Sequence, residues 1–184
     1  NSPAVKAEDL RFSERGVEQT LRQVLIPFWN SFVFLSTYAK IYQWQPVKIS
    51  KKPKALIDRW ILSRTQKLIA DVEAGMEAYE LNLAVEPLVG FVEQLTNWYI
   101  RRSRSLFWAD PDTPDRGEAF ATLYTVLLQL AKAAAPIIPF ISEAVYLELK
   151  TDAMAESVHL NDFTTYDANL RDEELEKEVA AAQI

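Results

Sequence analysis

Apolar residues recur every three or four positions through most of this chain, and each such stretch predicts a helix with one buried stripe. The first runs from about Ser13 to Ile41, with Ser13 as its cap and Val17, Leu21, Val24, Phe28, Phe32, Leu35 and Ala39 as the stripe. Pro27 lies inside the pattern. Because the stripe continues in register beyond it, the proline is expected to kink this helix rather than end it. Gln43 to Lys54 holds two prolines and four lysines without a helical period, and reads as a connecting loop. A second helix takes Ala55 to about Tyr79 through Ile57, Ile61, Thr65, Leu68, Val72 and Met76. A third, capped by Asn82, carries Val85, Leu88, Val92, Leu95, Tyr99 and Leu106.

After a turn beginning at Ala109, a fourth helix starts with Thr113 as cap and Pro114 at its first position, and runs to about Ala135. It is apolar on two sides and is predicted to be the most buried. Ile137 to Leu149 gives a shorter fifth helix, Glu156 to Phe163 reads as short and extended, and Asp172 to Ile184 as an acidic terminal helix. The expected fold class is therefore all-α. It is an antiparallel bundle of four to five helices, followed by a short irregular or extended segment and a terminal helix. A single domain covers 1–184, with 1–12 as a linker, 13–150 as the bundle and 151–184 as the exit segment and acidic helix.

Composition narrows the chemistry. The 184 residues are 49% hydrophobic and 25% charged, the balance of an ordinary globular protein, and only four glycines leave little of the turn chemistry an all-β chain requires. Without cysteine there is neither a disulfide framework nor a thiolate metal site. The longest apolar runs, such as Ala133 to Ile141, are broken by Pro136 and Pro139 and fall short of the roughly 20 residues a bilayer span needs, so no membrane partner is expected. The opening NSPAVKAEDL lacks an initiator Met and a signal-peptide pattern, and reads as a cut from a longer chain.

The net charge of −6 argues against binding nucleic acid by bulk field, but the charge is unevenly spread. Lys48 to Lys67 carries a net +6, and Glu143 to Glu178 a net −8. The sequence NWYIRRSRSLFW, Asn97 to Trp108, places three arginines between two tryptophans. At about 100° per residue, Asn97, Arg101, Arg104 and Trp108 fall within about 60° on the side opposite the stripe, while Tyr99 points inward. Trp98 and Arg102 lie on the flank, where the guanidinium is expected to pair with a carboxylate such as Asp58 or Glu93. A planar guanidinium fork beside an aromatic plane suits phosphate and unpaired bases. The plainer reading is a solvated charged face, and the loop lysines Lys51, Lys52 and Lys54 admit the same two readings. No catalytic constellation emerges. His159, the only histidine, is expected to be structural and hydrogen-bonded to backbone, no metal site is expected, and Glu173 and Glu176 read as solvated acids.

Four ordered motifs, DRWILSR (Asp58 to Arg64), NWYIRRSR (Asn97 to Arg104), AAPIIPFISE (Ala134 to Glu143) and ESVHLNDF (Glu156 to Phe163), resemble the isoleucyl-tRNA synthetases in order and spacing. The opening Asn1 to Val17 is similar to the segment joining that family's catalytic half to its helical anticodon-binding domain. In valyl-tRNA synthetases, which share the domain, the Trp-Tyr pair is typically followed by Ile-Glu, whereas here Ile100 precedes Arg101. One departure is DFTTYD (Asp162 to Asp167), where the family often has a proline soon after the aromatic. KISKK (Lys48 to Lys52) looks like the family's ATP-binding loop but follows the first long helix, outside a catalytic core, and is taken as coincidence.

The resemblance implies a cytoplasmic anticodon-binding domain of an ATP-dependent ligase, itself non-catalytic and without a cofactor. Its partners would be the anticodon stem-loop of isoleucine tRNA and the catalytic and C-terminal parts of the same parent chain. Lys51, Lys52, Lys54, Arg101 and Arg104 would hold the RNA backbone beside Asn97, Trp108 would stack a base, and the acidic C-terminal third would face away from phosphate. The alternatives are the corresponding valyl domain, a helical protein-interaction or scaffold module with an exposed apolar patch, and a rigid spacer.

Overall fold

A computed structural model describes residues 14–47, 49, 53–110, 112–113 and 115–182. Six helices are present among them, and no strand. Helix α1 joins Glu14–Thr20, a π-helical stretch Leu21–Leu25 and Ile26–Ile41. Helix α2 is Leu56–Glu77. Helix α3 joins Leu81–Glu93, a π-helical stretch Gln94–Ile100 and Arg101–Phe107. Then follow α4 (Arg116–Ala134), α5 (Pro139–Leu149), 3-10 turns at Val158–Leu160 and Ala168–Leu170, and α6 (Glu173–Ala182).

Pro27 does not end α1. Its missing N–H leaves the carbonyl four residues earlier without its usual donor, and the wide π turn just before it lets the helix continue past that gap. Burial of the stripe begins at Val24 and continues through Phe28, Phe32 and Leu35, whereas Val17 and Leu21 are exposed, contrary to the sequence expectation. By length and composition Gly16–Ile41 would suffice to cross a bilayer, yet those four residues pack into the bundle.

Helix α4 is the central rod, packed against α1, α2, α3 and α5, and it is buried on two sides as its apolar pattern predicts. Directions alternate along the chain. Among neighbours, α2 and α3 meet antiparallel so tightly that a Cβ on Gly75 would stand 2.6 Å from the backbone nitrogen of Ala84, which leaves room for glycine alone. Helices α1 and α3 lie side by side in the same sense, with Phe34 against Phe107 (centroids 4.8 Å) and Tyr38 against Trp108 (5.9 Å).

Two expected caps are not made. Helix α3 starts at Leu81, one residue before Asn82, and α4 starts at Arg116, beyond Thr113; neither start has a side-chain cap hydrogen bond. Ser13 and Pro114 fall outside the described residues, as do the expected linker 1–12 and Lys48, Lys51 and Lys52. Within the stretch expected to be extended, Glu156 to Phe163, Val158–Leu160 forms a 3-10 turn between extended backbone at Ser157 and Asn161, and the segment clasps α5. Glu143 accepts the Val158 N–H at 2.7 Å, the Tyr146 hydroxyl donates to the Ala155 carbonyl at 2.9 Å, and Asn161 Nδ2 donates to the Tyr146 oxygen at 3.0 Å. His159 is exposed, and its contribution is its backbone N–H, accepted by Ser157 Oγ at 3.2 Å; the expected backbone bond of its imidazole is not made.

Candidate nucleic-acid interface

The last two turns of α3 divide cleanly by burial. Ser103 and Phe107 are buried, with the Ser103 hydroxyl donating to the Tyr99 carbonyl at 2.8 Å, while Asn97, Arg101, Arg102, Arg104 and Trp108 are exposed. Inside, Tyr99 is fully buried, and its hydroxyl donates to Asp58 Oδ1 at 2.6 Å. Burial chiefly raises the Asp58 carboxyl to about 6, the Tyr99 hydrogen bond opposes this, and the charges of Glu118 and Asp115 add to it. Burial, then the charge of Asp58, pushes the Tyr99 phenol well above its ordinary value. Asp58 is therefore bound to Tyr99 and does not serve Arg102.

Arg102 has another partner. Its Cζ lies 3.7 Å from the centroid of the Trp98 ring, a cation–π contact in place of the expected salt bridge. Arg104 sits over Trp108 (5.4 Å) and Phe34 (5.9 Å), and Trp108, 47% exposed, leans on Tyr38. Among the described residues none of Arg101, Arg102 and Arg104 pairs with a carboxylate. Arg22, Arg59, Arg64 and Arg171 all do. In a protein of net charge −6, three guanidinium groups within four residues left without acidic partners are a local exception.

Of the loop lysines, Lys54 is described, and it lies beside the first turn of α4. The Lys54 backbone N–H donates to Glu118 Oε2 at 3.0 Å in the first turn of α4, and its side chain is exposed. Trp44 packs against Phe120 (5.6 Å) and Tyr124 (5.8 Å), next to the Phe107–Phe120 contact beneath the arginines. Sequence reading missed Arg116. It is buried, lies 3.6 Å over the Tyr42 ring, and leaves Nε and one terminal nitrogen without a hydrogen-bond partner. Its position at the start of a helix behind an acidic turn gave no signal of this.

Two residues of the acidic third, Asp172 and Glu176, dock on the basic run. Arg59 pairs with Asp172 at 2.9 Å and Arg64 with Glu176 at 2.9 Å, so part of the positive charge of α2 is neutralised internally. Glu176, expected to be solvated, is largely buried and also binds Ser63 and Arg171. On α1 the apolar side chains Val17, Leu21, Ile26, Trp29 and Val33 are exposed. No group of acidic residues and histidine able to hold a metal occurs among the described residues.

The fold is an all-α bundle, and residues 58–184 match the family model for the anticodon-binding domain of tRNA ligases, so the chain belongs to that family. Its relatives specify the branch. It is 55% identical over its whole length to an isoleucine–tRNA ligase of Protochlamydia amoebophila, covering 18% of that protein. It is 51% identical over 163 residues to the isoleucine–tRNA ligase of Chlamydia muridarum and 50% identical over 169 residues to that of Chlamydia caviae, covering 89% and 91% of this chain and 16% of each relative. The chain thus spans less than a fifth of the length of these relatives.

Proposed function

We propose that this domain binds the anticodon stem-loop of isoleucine tRNA in the cytoplasm, and so positions the tRNA for aminoacylation by the catalytic part of a longer parent chain. The observation that carries the reading is the freedom of Arg101 and Arg104, exposed and without acidic partners among the described residues, on the helix that also presents Trp108. Arginine forks grip the loop phosphates, and these contacts set register without reading sequence. Trp108 offers a plane for an unpaired base, and Asn97 supplies an amide on the same face. The protein's overall negative charge confines the attraction to this face and discourages unspecific binding elsewhere.

Filter-binding titrations of isoleucine tRNA over a range of salt concentrations test the assignment. Loss of two phosphate contacts in the Arg101→Ala/Arg104→Ala double variant is expected to weaken binding and flatten the log–log salt slope by roughly 1.4, the value for single-stranded phosphates. An unchanged affinity and slope would place the RNA elsewhere on the molecule.

A further inference from the structure

We propose that Arg102, lying over Trp98, is a second stacking site for an unpaired nucleobase, with the outer face of its guanidinium as the platform. This rests on the RNA reading above and deepens it. The 3.7 Å separation places the guanidinium at van der Waals distance over the indole, closer than Arg104 comes to Trp108. Trp98 is half-buried and packed against the core, so the base of the stack is fixed, while Arg102 is exposed above it. One face of the guanidinium is covered by the indole, and the other is open to a partner.

Three physical features suit that open face to a base. A guanidinium is planar and more weakly hydrated than an ammonium, so stacking strips little water from it. Its side-chain freedom is already reduced by the indole, so less entropy remains to be lost on binding. Its N–H edges are not committed to a carboxylate among the described residues, which leaves them for a phosphate or a base edge alongside the stack.

Position adds a fourth. At about 100° per residue, Arg102 and Arg104 lie roughly 160° apart around α3, with Arg101 between them. The exposed arc is thus bordered on each side by an arginine backed by tryptophan. A single strand whose phosphates follow Arg101 can turn a base to either side. A paired helix, whose base faces are already stacked, has none to offer, so the ligand is an unpaired loop segment.

The test uses this chain and a fluorescently labelled RNA hairpin carrying the isoleucine anticodon loop, alongside hairpins in which one loop base at a time is replaced by an abasic site. Arg102→Lys keeps the charge and loses the plane. It is expected to weaken binding of the intact hairpin at least about fivefold, the lower bound for one stacked base, with the salt slope unchanged. That loss should disappear with the abasic hairpin lacking the stacked base. If Arg102→Lys binds every hairpin like the parent chain, or if Arg102→Ala flattens the salt slope while Arg102→Lys is silent, Arg102 contacts phosphate at most and the stacking site is overturned, with the Arg101 and Arg104 assignment intact. If the parent chain binds no hairpin at all, both readings fall together.

Discussion

Asp58 lies in the core, where the hydroxyl of Tyr99 on the arginine helix donates to it. Its carboxylate is fully buried, with one oxygen bound by Tyr99 and the other without a partner. The folded pKa, about 6, stands above the ordinary 3.8, so the folded protein binds the extra proton more readily than the unfolded chain. Stability from this group is fully present below pH 3.8 and is lost as pH rises towards 6, by about 3 kcal/mol in all. Asp58→Asn keeps the shape and an acceptor for Tyr99 but cannot ionise. Urea unfolding at a series of pH values should find the variant gaining on the parent between pH 4 and 6 and more stable at pH 7; parallel curves would show that Asp58 bears no such penalty. The outward direction of Arg101 and Arg104 was legible in the sequence because it follows from the buried stripe. The partners of Asp58 and Arg102 were not, because the π-helical stretch Gln94–Ile100 alters the helical phase that a uniform 100° per residue assumes at the flanks.

Among the elements, α6 is the one whose place was hidden. The sequence predicted a terminal helix, but not that it is latched to α2 through Asp172 at its start and Glu176 in its first turns. Burial acts to raise the Glu176 pKa, but hydrogen bonds from Ser63, Arg171 and Arg64 outweigh it, and the carboxyl titrates below its ordinary value. The contribution is present above pH 4.5 and is lost as pH falls through the lowered folded value. Glu176→Gln keeps one acceptor oxygen but puts an amide NH2 where the other carboxylate oxygen met a guanidinium and removes the charge shared by Arg64 and Arg171, and is expected to cost about 2–3 kcal/mol, in the range for hydrogen bonds to charged groups. Amide exchange should then accelerate first in α6; exchange rising evenly over the bundle would contradict a local latch. Ion pairs spanning 112 or 113 residues leave no periodic trace in a sequence. The π turns leave none either, since they accommodate Pro27 and the arginine helix without breaking the apolar stripe.

For the whole molecule, the decisive feature is how charge is distributed by folding. Asp172 and Glu176 of the acidic C-terminal third are paired with Arg59 and Arg64 of α2, while the arginines of α3 have no acidic partner among the described residues. A net charge of −6 is therefore compatible with a local positive face on α3. The most direct measurement is competition for labelled isoleucine tRNA on this chain by three unlabelled RNAs: its anticodon stem-loop, its acceptor-arm hairpin and the anticodon stem-loop of valine tRNA. The account predicts displacement by the isoleucine stem-loop at nearly the concentration of intact tRNA needed, weaker displacement by the valine stem-loop, and none by the acceptor hairpin. Displacement by the acceptor hairpin with none by the isoleucine stem-loop would contradict it.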